Sequence, residues 1–117
     1  MHTNVKAADT LPPVDNEGYL LDPSDWTVEI ALALAETVNI DMTPQHWAVV
    51  YFVIDYYETN QQVPETRRAL KWMKTAPEFG EELATRKGLY KMFPYGFGQQ
   101  ACKIAGMRKP LKLILDL

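Results

Sequence analysis

The most reactive side chain in this sequence is that of its single cysteine, Cys102, in the C-terminal segment QQACKIAGMRKPLKLILDL. A cysteine attacks as the thiolate, and a helix N-terminus or a nearby cation lowers the pKa of the thiol. Lys103 follows directly, so a helix that begins near this point would activate Cys102. The alternative is that Cys102 is buried and inert, as cysteines outside disulfides commonly are. The sequence makes Cys102 a candidate catalytic thiol and leaves its burial open.

Other kinds of chemistry are poorly represented in the sequence. One cysteine cannot close an intramolecular disulfide, and His2 and His46 lie too far from it to suggest zinc-ligand spacing. No Ser/His/Asp grouping, glycine-rich phosphate loop or carboxylate pair stands out. We therefore expect no metal, no cofactor and no self-sufficient enzyme.

The charges of the chain are divided between its two halves. Residues 1–66 hold eleven acidic residues and one lysine, a net charge of −10, whereas residues 67–117 hold eleven basic and four acidic residues, a net charge of +7. Either the C-terminal half presents a positive field to an anionic group or partner, or the two halves neutralise each other across the fold. The candidate anion-binding or partner-binding side chains are Arg67, Lys71, Lys103, Arg108 and Lys109.

Apolar periodicity and capping residues predict a mostly helical chain. In the second predicted helix, Thr43 is the N-cap and Pro44 takes the first position, where its missing N–H costs nothing. Ser24 or Asp25 is the expected cap of the first helix, and Gly106 is expected to close the last. The predicted helices span about residues 25–38, 44–59, 64–75, 81–92 and 98–105.

The remaining segments complete a predicted α+β fold. A turn signal at residues 15–18 before Tyr19 and Leu20 indicates a small N-terminal β-meander, which we expect to pack on about five helices. The period-two leucines after Gly106 indicate an extended C-terminal arm at 108–117. We expect one domain over 1–117 with a loose N-terminus at 1–13. Because no apolar run approaches the roughly 18 residues of a membrane span and no leader is visible, we expect a cytoplasmic protein.

A nucleic-acid-binding function is an open alternative. The predicted helices at 44–59 and 64–75 are spaced like a helix-turn-helix, and the basic half offers phosphate contacts. Trp72 and Met73 of the second helix look like core residues, however, and two helices joined by a short turn occur in many folds. Nucleic acid therefore stands as a second class of expected partner.

Several motifs together resemble one known family. The string GLYKMFPYGFGQQACKIAGMRKP, preceded in order by DNEGYL, DW, HWAVVYFVIDYY and VPETRRALKWM, strongly resembles the DsrC/TusE family of small sulfur-relay proteins over roughly residues 15–112. The resemblance implies a β-meander on about five helices with a C-terminal arm. It also implies a partner that is a sulfur-relay complex or a sulfite-reductase-like protein. In the family, members of the TusE type receive sulfur from a partner complex and deliver it to a tRNA-thiolating enzyme.

The chain departs from that family at the position that carries sulfur. Family members carry sulfur on a penultimate cysteine of the arm, and the alignment places Leu113 at that position, so only Cys102 of the QAC motif remains. Phe97, Gln99 and Arg108 also replace the usual residues around it. The resemblance thus implies a protein that docks on a sulfur-metabolism partner and acts by binding or regulation. The alternative is a residual sulfur carrier, a sulfurtransferase relay acting through Cys102.

Overall fold

Residues 11–107 form six helices and two single turns. The computed structural model describes residues 11–107; the predicted arm at 108–117 and most of the predicted loose N-terminus lie outside them. A 3-10 turn at Pro23–Asp25 precedes the first helix, and a π-helical turn at Phe97–Ala101 runs directly into the last. The helices are α1 (Val28–Thr37), α2 (Pro44–Asn60), α3 (Thr66–Met73), α4 (Gly80–Leu83), α5 (Arg86–Met92) and α6 (Cys102–Ile104).

The predicted N-terminal β-meander is wrong. Residues 11–107 contain no β-strand, and one isolated antiparallel bridge joins Val14 to Leu20. The turn between them forms as expected, with the Gly18 N–H donating to the Asp15 carbonyl at 3.0 Å. A ladder cannot grow from it, because the two prolines before Val14 lack an N–H to donate and the 3-10 turn begins at Pro23. The α+β class is therefore replaced by a helical fold over the described residues.

The first helix begins later than its cap residues predict. Asp22, not Ser24 or Asp25, caps a separate 3-10 turn, and Thr27 is the N-cap of α1 through its hydroxyl, which accepts from the Ile30 N–H at 3.1 Å. The backbone N–H and the hydroxyl of Ser24 both donate to the Asp22 carboxylate, at 3.0 and 2.8 Å. Both hydrogen bonds lower the pKa of Asp22 from its ordinary value of 3.8, and the bond from the backbone N–H has the larger effect.

The predicted helix over 81–92 is two helices, α4 and α5, that meet at a sharp corner. Thr85 caps α5 by accepting from the Gly88 N–H at 2.9 Å. A Cβ atom at Gly88 would lie 2.4 Å from the Leu83 carbonyl oxygen, so the corner requires a glycine. The sequence periodicity does not reveal this close approach, which is why the break was not predicted.

Helix α2 is the central element and has the predicted start. Thr43 and His46 form a capping box: the Thr43 hydroxyl accepts from the His46 N–H, and His46 Nδ1 accepts from the Thr43 N–H at 3.2 Å. The other ring nitrogen, Nε2, donates to the Met92 carbonyl at 2.9 Å, and the imidazole meets the Phe93 ring edge-on. These contacts tie the start of α2 to the end of α5.

Aromatic side chains on two flanks of α2 contact neighbouring segments. On one flank Phe52 stacks on Trp72 of α3, with ring centroids 4.4 Å apart. On the other flank Tyr51 meets the edge of Trp26, whose indole reaches α6. The face between them is fully buried and is formed by Val49, Val50 and Val53. Burial of each such aliphatic side chain contributes about 1.5–3 kcal/mol to folding.

Candidate functional site

Cys102 lies inside the hydrophobic core. Its residue surface is 1% exposed, and it clusters with the buried residues Ala101, Ile104 and Ala105. A thiol that exchanges sulfur with another protein must be reachable by that protein. The position is therefore typical of an inert cysteine, which is the second of the two interpretations that the sequence left open.

The backbone at Cys102 does not supply the activation expected of a helix start. The π-helical turn continues into α6, so the Cys102 N–H already donates to the Phe97 carbonyl. The Cys102 carbonyl in turn accepts from the Met107 N–H at 3.1 Å. A helix N-terminus stabilises a thiolate through N–H groups that have no intrahelical partner. At Cys102 the backbone N–H already has an intrahelical partner, the Phe97 carbonyl, so it is not available to stabilise a thiolate.

Lys103 is directed to the N-terminal turn. Its ammonium lies over the ring of Tyr19, 4.8 Å from the centroid, in a cation–π contact. Gly18 lies beside the ammonium, and a Cβ atom at Gly18 would be in contact with Nζ, at 3.5 Å. Lys103 thus ties the last helix to residues 18 and 19, and its role as an anion-binding residue stays a prediction.

A buried glutamine orders the segment before Cys102, and the sequence analysis missed it. Gln100 is 2% exposed, its Oε1 accepts from the Tyr95 N–H at 2.8 Å, and its Nε2 donates to the Val38 carbonyl at 3.3 Å. The side chain therefore satisfies two backbone groups, one in the loop after α5 and one at the end of α1. The QQ pair in the sequence gives no sign of which glutamine is buried.

Trp26 and Gly106 fix the end of α6. The indole Nε1 donates to the Ile104 carbonyl at 2.8 Å. Gly106 has a φ of +79°, and a Cβ atom there would lie 2.4 Å from Trp26 Cδ1. Gly106 therefore ends the helix as predicted, and it does so pressed against an indole.

A groove opens beside this contact. Its volume is about 340 Å³. The described residues that line it come from the 3-10 turn, α2 and the end of α6: Pro23, Ser24, Trp26, Ile54, Tyr57, Glu58, Ala105 and Met107. Met107, which lines the groove, is the last described residue. Arg108 and Lys109, two of the predicted site residues, lie outside the described residues.

The other two predicted basic residues share the outer face of α3. The Arg67 side chain is 89% exposed, and its Nη2 lies 3.5 Å from the Glu65 Oε1. Lys71 is exposed one turn later. Within residues 11–107 this is the one ion pair, and it joins neighbours in sequence. Apart from this pair at their boundary, the described parts of the acidic and basic halves do not neutralise each other by direct pairing.

The structure gives no independent support to the other partner classes. In the helix-turn-helix alternative, Trp72 and Met73 of the second helix are packed inward, on Phe52 and in the core. No helix among the described residues is long and apolar enough to cross a membrane. Residues 11–107 also contain no group of three or more metal-ligating side chains.

Known proteins resemble this chain over most of its length. The family model described as DsrC like protein matches residues 6–114. The sulfurtransferase TusE of Escherichia coli (strain K12) is 44% identical over 100 residues, which cover 86% of this chain and 90% of the relative. The same protein of Pectobacterium atrosepticum is 43% identical over equal shares.

Solved structures show the same architecture. The oxidized gamma-subunit of the dissimilatory sulfite reductase (DsrC) from Archaeoglobus fulgidus superposes with a TM-score of 0.76 at 31% identity, covering 84% of this chain and 88% of that one. Allochromatium vinosum DsrC superposes with a TM-score of 0.71 at 39% identity, covering 83% and 85%. Neither these proteins nor the TusE relatives carry a name that refers to nucleic-acid binding, so the comparisons do not favour that alternative.

Proposed function

The chain belongs to the DsrC-like protein family, and from this premise we propose that it docks on a sulfur-metabolism partner without itself carrying sulfur. The observation that supports this most directly is the burial of Cys102, the only thiol in the 117 residues, at 1% exposure. The chain shares the fold of its relatives, which a partner would recognise, but its one cysteine is not accessible. Such a protein acts by occupying or regulating its partner.

Sulfur transfer between proteins sets a requirement that this chain does not meet. The thiolate of the carrier attacks a persulfide sulfur of the donor, the donor leaves as a thiolate, and the carrier keeps the outer sulfur as its own persulfide. The attacking atom must reach into the active site of the donor. Leu113 at the carrier position of the alignment has no such atom, and Cys102 is enclosed by the core.

The names of the relatives suggest two classes of partner. One class is the sulfur-relay proteins that act with TusE, a sulfurtransferase, and the other is sulfite reductase, of which the Archaeoglobus fulgidus relative is a subunit. The cytoplasmic location expected from the sequence is part of the same proposal. A protein that binds such a partner without a carrier thiol competes with the true carrier for the docking surface.

The proposal can be tested in E. coli, since its TusE is 44% identical to this chain. In a strain without TusE, expression of this chain should leave tRNA thiolation unrestored. In a strain with TusE, overexpression should lower tRNA thiolation by competition. The matched variant is Leu113→Cys, which returns a thiol to the carrier position and should restore part of the thiolation.

One result would overturn the non-carrier part of the proposal. If the unchanged chain restores tRNA thiolation, and Cys102→Ala abolishes the effect while the protein stays folded, Cys102 is a working carrier. Mass spectrometry of the protein after treatment with a persulfide donor gives the direct reading, because a carrier gains the mass of one sulfur atom at Cys102. We expect no such gain in the folded protein.

A further inference from the structure

Tyr95 is the most exposed large apolar side chain among the described residues. It is 72% exposed and lies in the loop between α5 and the π-helical turn. Tyrosine is frequent among the residues that dominate protein–protein binding, because its ring gives a large contact area and its hydroxyl a hydrogen bond. Whether an exposed tyrosine binds a partner depends on the rigidity of its backbone and on the charges around it.

The loop holds Tyr95 in one place. Phe93 and Phe97 on either side are buried at 0% and 1% exposure, and the Gly96 N–H closes a turn on the Phe93 carbonyl at 2.9 Å. The Tyr95 N–H itself donates to the buried amide of Gln100 at 2.8 Å. The backbone that carries the ring is therefore fixed before any partner arrives, which lowers the entropic cost of binding through it.

The segment of the chain that carries Tyr95 is basic. Lys87 and Lys91 are exposed and lie one helical turn apart on the outer side of α5, whose inner side is buried. Neither makes an ion pair with a described residue. From Ala84 to Met107 the sequence contains no acidic residue at all. We name Lys87, Lys91 and Tyr95 together the Tyr95 surface.

We propose that the Tyr95 surface is where an acidic protein partner docks, with the tyrosine ring in an apolar recess and the two lysines on carboxylates around it. The inference rests on the proposed function, because it needs a protein partner. Opposite charges at the rim of an interface steer the encounter, while a central aromatic residue supplies most of the affinity.

The charge distribution favours a protein over a nucleic acid at this surface. The chain carries a net charge of −3, and its first 66 residues carry −10. A nucleic acid is a long polyanion whose affinity depends on many phosphate contacts, so the acidic half opposes it. An acidic patch on a protein needs only a few charged contacts, so two lysines are enough to match it.

The test is a titration of the full chain against the purified E. coli complex that loads TusE with sulfur. We expect Tyr95→Ala to weaken binding at least tenfold. We expect Lys87→Glu with Lys91→Glu to weaken it at least tenfold and to flatten its dependence on salt. The controls are Leu32→Ala, an apolar residue 47% exposed on α1, and Lys74→Glu after α3, which should each change the affinity less than twofold.

The outcomes separate this inference from the proposed function. If the unchanged chain does not bind the complex, the proposed function fails and takes the inference with it. If the chain binds and the Tyr95 and lysine variants bind equally well, only the inference is overturned. It is also overturned if E. coli tRNA binds the chain and Tyr95→Ala removes that binding, since the surface then serves a nucleic acid. Tyr95→Ala keeps the N–H that Gln100 accepts from, so a folded variant is expected.

Discussion

The thiol of Cys102 should react with alkylating agents only when the end of the domain opens. Opening it breaks three hydrogen bonds: the Cys102 N–H to Phe97, the Met107 N–H to Cys102, and the Trp26 indole to Ile104. At about 1 kcal/mol each these amount to about 3 kcal/mol, and exposing the Ile104 side chain adds about 2 kcal/mol. Since about 1.4 kcal/mol is a factor of ten, the thiol should react a few thousandfold more slowly than in the unfolded chain.

The assay is the rate of alkylation by iodoacetamide at neutral pH, with and without denaturing urea. A matched control places the thiol on the surface: Cys102→Ala combined with Thr59→Cys, at an exposed position near the end of α2. That control should react within a few fold of its rate in urea. A folded-state rate for Cys102 within tenfold of the Thr59→Cys control would refute the reasoning from burial.

Three further perturbations test the packing around the site. Gly106→Ala should lower the free energy of unfolding by about 2–5 kcal/mol in urea titrations, because backbone strain adds to overlap with the Trp26 indole. The control is Gly80→Ala, which is also at positive φ but has nothing within 4 Å of its Cβ. It should show the cost of backbone strain alone, about 1–2 kcal/mol. Gln100→Leu should cost about 2–4 kcal/mol in the same titration because it leaves two backbone groups without their partner; an unchanged midpoint would show that water replaces the amide. Folding lowers the pKa of Asp22, so its ionised form adds stability above about pH 3.8, and this stability is lost as the pH falls through the folded-state pKa. An NMR titration of Asp22 should show a midpoint below 3.8. Ser24→Ala, which removes the hydroxyl donor, should move that midpoint back toward 3.8.

Local signals in the sequence predicted the helices better than the turns between them. The start of α2 was predicted correctly, because its two signals, the Thr43 cap and Pro44 at the first position, lie at the helix end itself. The β-meander was wrong because a turn signal does not ensure that the flanking residues can pair, and two prolines stand on one side. The split between α4 and α5 depends on a backbone contact at Gly88, which composition does not show.

The family was predicted from motifs, and the comparisons confirm it. The contacts that decide the state of the site were beyond reach of the sequence, because they join distant residues. The Trp26 indole meets a carbonyl 78 positions away, and the Gln100 amide meets one 62 positions away. Such pairs form only when segments far apart in sequence pack together, so they leave no local pattern.

The capping box of α2 has a spectroscopic consequence. Nδ1 of His46 faces an N–H donor and Nε2 faces a carbonyl, so the neutral ring with its proton on Nε2 is the one tautomer that satisfies both. Its two nitrogens should give well-separated ¹⁵N resonances, and the Nε2 proton should exchange slowly with water because the residue is 8% exposed. The ring also touches Phe93, two residues before Tyr95. His46 is thus an intrinsic NMR reporter, from within the core, of whether a partner bound at the surface disturbs the junction of α2 and α5.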